Sequence, residues 1–171
     1  KITLKDGGAE IRLEDSTGNS IKMEAAGITV RSPSKITLDA PSIAIKAAVE
    51  RAGVSLDAID QVIMGCVLPG ALGQAPARQA SIGAGLPLTT GATTINKVCG
   101  SGMKATMMAA EAIIAGTSDI VVAGGMESMT NAPYMLTKHR SGARLGHDSL
   151  KDSMFLDGLE DAYEPGRAMG S

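Results

Sequence analysis

The chain has 171 residues, of which 44% are hydrophobic and 2% are aromatic, and its 16 basic residues nearly balance 18 acidic ones. This length allows one domain or two small ones, and the composition is too apolar for a disordered chain. Without a basic surface or aromatic stacking platforms, neither nucleic acid nor an anionic membrane is an expected partner. Polar residues interrupt each apolar stretch well before the ~20 residues of a membrane span, so we expect no transmembrane segment. Two cysteines without a Cys-x-x-Cys pair make a disulfide scaffold unexpected and favour a reducing compartment, which we expect to be cytoplasmic for residues 42–171.

Residues 1–41 carry pairs of aliphatic residues with a period of two, separated by turn-forming residues. The pairs are Ile2 and Leu4, Ile11 and Leu13, Ile21 and Met23, Ile28 and Val30, and Ile36 and Leu38. They predict five short strands whose apolar stripes are too narrow to form a core within one chain. The segment resembles the intertwined trimeric β-helix of contractile-phage tail spikes and type VI secretion spikes, with residues 35–41 as one rung. The resemblance implies a homotrimeric structural element of a virion or secretion apparatus, and a simple stack of β-hairpins is the alternative.

The pattern changes near residues 40–42, where we expect a domain boundary between a segment 1–41 and an α/β portion 42–129. Apolar residues at helical spacing from Ile43 predict a helix that ends before Gly53. Strands and helices then alternate, with strands predicted over residues 61–67, 93–97 and 119–123 and helices over residues 75–84 and 101–115. This alternation predicts a layered α/β fold around a mostly parallel sheet. The helix after residue 101 carries large apolar residues on nearly every face, which predicts that it is buried.

Cys99 lies where a predicted strand ends and a predicted helix begins, in the run Asn-Lys-Val-Cys-Gly-Ser-Gly from Asn96 to Gly102. Unpaired backbone N–H groups and the positive end of the helix dipole favour a reactive thiolate at such a position. Gly100 and Gly102 let a thioester approach the backbone, where the Cys99 N–H can donate to an oxygen that gains negative charge. A lone cysteine is more often a small buried hydrophobe. We assign that role to Cys66, which ends a predicted strand without such a glycine setting.

Three sequence blocks resemble the thiolase family in their order and spacing. They are Gly-Gln-Ala-Pro-Ala-Arg-Gln-Ala at residues 73–80, the run around Cys99, and Val-Val-Ala-Gly-Gly-Met-Glu-Ser-Met at residues 121–129. Residues 44–171 thus resemble the first half of such an enzyme, which implies an incomplete thiolase-like α/β fold. The resemblance also implies acetyl-CoA acetyltransferase chemistry, in which Cys99 takes an acyl group from acyl-CoA and passes it to a second acyl-CoA or to free CoA. It implies coenzyme A thioesters as substrates, with no bound cofactor and no metal.

The resemblance further implies roles for individual residues around Cys99. The Cys99 N–H, with backbone support from Gly100 and Gly102, would form an oxyanion hole. Residues 130–171 resemble the start of the family's loop domain, which covers the CoA, and Leu159 and Met169 would contact CoA there. The alternative is that these two side chains only pack the loop.

The sequence departs from the family in three ways. The activating histidine and second cysteine lie beside Gly-His-Pro and Cys-x-Gly-Gly motifs in thiolases, and neither motif occurs here. We expect His139 and His147, which are flanked by charged residues, to be solvated surface residues. Because each missing proton transfer is worth ~10²–10⁴-fold, we expect this truncated chain to be inactive alone. The family's central first strand, with its Arg-Thr-Pro motif, is also absent, which predicts a gap in the sheet.

The two resemblances imply different oligomers. Thiolases assemble as dimers or tetramers with two-fold symmetry, whereas the spike segment implies a three-fold axis. We therefore expect a trimer if the spike segment dominates and a dimer or tetramer if the thiolase segment does. The conflict favours the interpretation that the chain is a chimera, with the thiolase part as a fused passenger in the spike alternative.

Overall fold

The structure, a computed structural model, describes residues 2–5, 10–14, 20–24, 27–31 and 40–169, with side chains described for residues 41–169. The chain divides into two compact units, Lys1–Leu38 and Asp39–Ser171.

The first unit contains a four-stranded antiparallel sheet in the order β1-β2-β3-β4. Its strands are Ile2–Lys5 (β1), Glu10–Glu14 (β2), Ser20–Glu24 (β3) and Gly27–Arg31 (β4). The register pairs aliphatic positions of neighbouring strands, for example Ile11 with Met23. Strand pairing within one chain is what the hairpin alternative predicts, while the intertwined three-chain β-helix stays a prediction. The fifth pair, Ile36 and Leu38, lies outside the described residues.

The second unit begins with alternating helices and strands. They are Ala40–Ala52 (α1), Gln61–Gly65 (β5), Pro76–Gly83 (α2), Gly91–Ile95 (β6), Ser101–Ile114 (α3) and Val121–Gly125 (β7). The strands form a parallel sheet in the order β6-β5-β7, which confirms the predicted α/β architecture. Short elements follow in the tail, including the two-stranded pair Tyr134–Met135 (β8) and Lys151–Asp152 (β9) and a π-helical turn at Phe155–Leu159.

The sheet register corrects two expectations. Strand β6 begins two residues before the predicted start because Gly91 pairs with Gln61, and this leaves residues 96–100 free to form a turn. Strand β5 also pairs directly with β7, from Gln61 with Val121 to Gly65 with Gly125. The predicted gap in the sheet was therefore wrong for these strands, since β5 has a hydrogen-bonded neighbour on each side.

The main core lies between the sheet and the α1 and α2 helices. Its buried members are Ile45, Val49, Ile59, Val62, Met64, Ala77, Ala80, Ala84 and Leu86. Along β5, Val62 and Met64 face this core, so the alternate positions Ile63 and Gly65 face α3 on the other side of the sheet. Burial of each large aliphatic side chain contributes ~1.5–3 kcal/mol. The sheet thus packs against α1 and α2 on one face and against α3 on the other.

Helix α3 is not buried on every face, so that expectation was wrong. Its buried residues are Ser101, Ala105 and Ala109, which are small enough to bring the helix close to the sheet. Met103 is 74% exposed and Ile114 is 86% exposed on its outer surface. Helix α3 therefore leaves part of its apolar surface uncovered by the described residues.

Candidate active site

Cys99 lies in the turn that joins β6 to α3, two residues before the helix begins, and its side chain is exposed. The Gly100 N–H donates to the Lys97 carbonyl at 3.0 Å, and the Ser101 N–H donates to the Val98 carbonyl at 3.1 Å. The turn is therefore closed by its own backbone hydrogen bonds. The sequence predicted the position of Cys99 between strand and helix, and the structure places it there.

The residue before Cys99 has an unusual backbone conformation. Val98 has a φ of +46°, in the left-handed region that branched side chains rarely adopt. The Val98 N–H donates to the Asn96 Oδ1 at 2.9 Å, and the Val98 carbonyl accepts from the Ser101 hydroxyl at 2.6 Å. The Ser101 hydroxyl oxygen also accepts from the Lys97 N–H at 2.8 Å. No sequence pattern indicates a role for Asn96, Val98 or Ser101, because a positive φ at a residue other than glycine has no sequence signature.

Glycines bring the start of α3 against the ends of β5 and β7. A Cβ atom at Gly65 would lie 2.5 Å from the backbone carbon of Ser101 and 2.7 Å from the Gly102 nitrogen. A Cβ at Gly102 would lie 3.6 Å from the Cα of Gly125. The start of α3 therefore approaches the end of β5 more closely than a side chain at Gly65 would allow, and it meets the end of β7 at ordinary contact distance. This close approach fixes where Cys99 stands above the carboxyl ends of the strands.

Two cavities meet at Cys99. The first, of about 220 Å³, is mainly apolar and is lined by Val67, Leu68, Val98, Cys99, Glu127, Met129, Met154, Gly158 and Leu159. The second, of about 270 Å³, is more open and is lined by Gly65, Val67, Val98, Cys99, Ser101, Gly102, Gly125, Met126 and Glu127. The Cys99 thiol is thus shared by an apolar cavity and a more open one.

The cavities bring together only some of the residues that the sequence singled out. Leu159 lines the first cavity with Cys99, and Gly102 lines the second. Gly100 lines neither, and its N–H is already bonded to the Lys97 carbonyl. Met169 is 52% exposed and lines neither cavity, although its N–H donates to the Leu159 carbonyl at 2.7 Å.

Glu127, which follows β7, organises the loop after β5. Its carboxylate accepts from the Val67 N–H at 2.7 Å and from the Leu68 N–H at 3.0 Å. The Cys66 thiol donates to the same carboxylate at 3.6 Å. Burial, and then the negative charge of Glu127, raises the pKa of Cys66 to about 11. Cys66 is 2% exposed, which confirms the prediction that it is a core residue. Glu127 is a site residue to which no sequence pattern pointed.

The two histidines lie away from Cys99, in the tail. His147 is exposed, and His139 is partly buried with its Nδ1 atom 3.2 Å from a carboxylate oxygen of Asp148. Both line an open cavity of about 320 Å³ formed by residues 138–148, and neither lines a cavity at Cys99. His147 is therefore a solvated surface residue, as expected, whereas His139 is partly buried. Among the described residues no cluster of His, Cys, Asp or Glu is placed to hold a metal ion.

A family model described as "Thiolase, N-terminal domain" matches residues 24–171. The chain belongs to the thiolase family. The match starts inside β3, earlier than the boundary that the sequence predicted. No helix in the described part of this thiolase chain is long and apolar enough to cross a membrane.

Named relatives agree with this assignment. The chain is 57% identical over 122 residues to acetyl-CoA acetyltransferase 2 from Arabidopsis thaliana, covering 71% of this chain and 30% of that protein. It is 53% identical over 130 residues to acetyl-CoA acetyltransferase from Schizosaccharomyces pombe, covering 76% of this chain and 33% of that protein. The crystal structure of the Acat5 thiolase from Ascaris suum in complex with coenzyme A matches with a TM-score of 0.70 and 43% identity, over 74% of this chain and 33% of that one. The chain thus spans about a third of the length of the relatives that it matches.

Proposed function

We propose that this thiolase chain carries the acyl-accepting half of an acetyl-CoA acetyltransferase site, with Cys99 as the nucleophile. The observation that carries the proposal is the exposed Cys99 thiol at the junction of two cavities. In the reaction, the Cys99 sulfur attacks the thioester carbonyl of acyl-CoA and forms a new C–S bond. The bond from that carbonyl to the CoA sulfur breaks, and free CoA leaves as a thiol with the proton that Cys99 gives up.

The two cavities suit the two parts of such a substrate. The apolar cavity of about 220 Å³ is smaller than the ~300–1,000 Å³ of typical ligand pockets. It therefore fits a short acyl group and the end of the CoA arm, with Leu159 forming part of its wall. The open cavity exposes Gly102, whose lack of a side chain leaves backbone accessible near the reacting carbonyl. We assign oxyanion stabilisation to the N–H of Cys99 with Gly102 beside it, while the N–H of Gly100 is engaged elsewhere. The Met169 N–H donates to the Leu159 carbonyl, so we assign Met169 the role of supporting Leu159 at the CoA side of the cavity.

Turnover requires groups that these cavities do not contain. Among the described residues that line them, none is a histidine and Cys99 is the one cysteine. The family resemblance places the activating histidine and second cysteine in a C-terminal half. The relatives named above are about three times as long as the matched segment, and the outer surface of α3 exposes apolar side chains. We infer that catalytic turnover uses further thiolase polypeptide packed over α3, with no metal and no bound cofactor.

Intact-mass spectrometry after incubation with acetyl-CoA tests this function. The expected result is one acetyl group on Cys99, absent from Cys99→Ser and retained in Cys66→Ser. Adding the C-terminal two-thirds of a close relative should accelerate acylation and release acetyl-CoA from acetoacetyl-CoA and CoA. The proposal is wrong if Cys99 stays unacylated with the complementing polypeptide present while iodoacetamide still alkylates it.

The oligomeric state is a separate prediction. A spike element formed by the first unit would give a trimer, whereas association through thiolase surfaces would give a dimer or tetramer. Light scattering coupled to size exclusion separates these outcomes, and a monomer would contradict the spike alternative.

A further inference from the structure

Val98 is a branched residue at a φ of +46°, directly before the nucleophile. Backbone conformations of this kind persist only where surrounding contacts hold them, and they concentrate at functional sites. The contacts that hold Val98 therefore contribute to where Cys99 stands. Besides the backbone hydrogen bond from the Ser101 N–H to the Val98 carbonyl, they come from the side chains of Asn96 and Ser101.

We propose that Asn96 and Ser101 are positioning residues that hold Val98 in its left-handed conformation and so present Cys99 to the two cavities. Neither residue needs to touch the substrate, because each acts through the backbone of the turn. The inference rests on the proposed role of Cys99 as acyl acceptor. It also explains which residues orient Cys99.

Asn96 holds the Val98 N–H and also ties the turn to the cavity wall. Its Oδ1 atom accepts from the Val98 N–H at 2.9 Å, and its Nδ2 atom donates to the Val67 carbonyl at 3.2 Å. A backbone N–H requires an acceptor and a carbonyl requires a donor, so one orientation of the amide satisfies both. The Val67 N–H in turn donates to Glu127 at 2.7 Å. A continuous set of hydrogen bonds thus runs from Glu127 through Val67 and Asn96 to the turn that carries Cys99.

Ser101 holds the other side of the same turn. Its buried hydroxyl accepts from the Lys97 N–H and donates to the Val98 carbonyl, so it bonds the residues on both sides of the Lys97–Val98 peptide. Gly65 leaves no room for the start of α3 to move toward β5. The hydroxyl is therefore fixed by the helix and transmits that fixed position to Val98.

A double-mutant cycle separates positioning from general stability. Acyl transfer from acetyl-CoA to Cys99 is compared in the wild type, Asn96→Ala, Ser101→Ala and Val98→Gly, and in the combinations of each alanine with Val98→Gly. Each alanine variant removes two hydrogen bonds, one of which is made to Val98. Loss of the bond to Val98 corresponds to about 3- to 10-fold slower transfer. Glycine adopts positive φ without a steric penalty. The effect of each alanine should therefore shrink by at least about threefold in the Val98→Gly background, and an undiminished effect there overturns the proposal.

Two controls are needed to interpret the double-mutant cycle. Asn131→Ala removes an amide hydrogen bond of 2.9 Å to Ser128, outside the Val98 turn, and should leave acyl transfer unchanged. Alkylation of Cys99 by iodoacetamide requires only an accessible thiol and should change less than acyl transfer in Asn96→Ala. Equal slowing of both reactions would contradict a positioning role.

If the wild type takes no acetyl group even with the complementing polypeptide, the proposed function fails. The positioning inference is then tested by a measurement that needs no acyl transfer. Hydrogen exchange then reports directly on the Val98 and Lys97 amides. Asn96→Ala should speed exchange at Val98, Ser101→Ala should speed it at Lys97, and Asn131→Ala should affect neither. Unchanged exchange at both amides would overturn the inference independently of any chemistry.

Discussion

Substituting Gly65 by alanine should both destabilise the second unit and displace the nucleophile. The new Cβ would lie 2.5 Å from the Ser101 backbone carbon, whereas ordinary contacts begin at 3.4 Å. The start of α3 must therefore move by roughly 1 Å, the difference between these distances, because the contacted atoms are backbone. Overpacking of this kind costs about 1–3 kcal/mol in the free energy of unfolding. A shift of about 1 Å at a nucleophile can also slow acyl transfer by about 10²-fold.

Labelling of Cys66 provides a local measurement of the stability change. The side chain of Cys66 is only 2% exposed and lies next to the substituted residue, so a thiol reagent reaches it only when the sheet opens. A loss of 1–3 kcal/mol corresponds to about 5- to 150-fold faster labelling. Gly91→Ala is the matched control, because Gly91 lies in the adjacent strand and its added Cβ would come no closer than 3.8 Å to any neighbour. If Gly65→Ala protects Cys66 as well as the wild type does, the close approach of α3 to β5 is not a constraint.

Three further predictions concern charge and hydrogen bonding in the second unit. Because burial and then Glu127 raise the pKa of Cys66 from 9.0 to about 11, the folded state holds this proton more tightly than the unfolded chain. Stability should therefore fall from pH 9.0 towards about pH 11 in urea titrations, and Cys66→Ala should remove that dependence. Hydrogen bonds from the backbone N–H groups of Ile120 and then Asp119 lower the pKa of Asp60. Its contribution should be present above pH 3.8 and lost as pH falls through the lowered pKa, and Asp60→Asn should flatten this part of the acid titration. The Arg78 guanidinium donates to two loop carbonyls, both at 2.6 Å, so Arg78→Ala should cost about 1.5–3 kcal/mol in thermal or urea unfolding, with Arg78→Lys costing less.

The alternation of strands and helices was predictable because each element carries its own periodicity. The sequence placed α3 correctly at its first residue, since Gly100 and Ser101 mark the change from strand to helix. Strand ends were less predictable. Strand β7 begins two residues later than expected, because the Asp119 and Ile120 N–H groups are bound by the Asp60 carboxylate. That contact joins residues about 60 positions apart, so no local pattern could indicate it.

Cys99 and its position between strand and helix were determined by the sequence alone, because nucleophile and flanking glycines are adjacent in the chain. The tertiary structure alone decided which distant groups meet there. Glu127 reaches the loop after β5, and Leu159 reaches the Cys99 cavity, through packing of segments far apart in sequence. Only the structure revealed the φ of Val98 and the exposed outer face of α3. Backbone angles and burial depend on what the rest of the chain brings into contact, and residue types along one segment do not specify that.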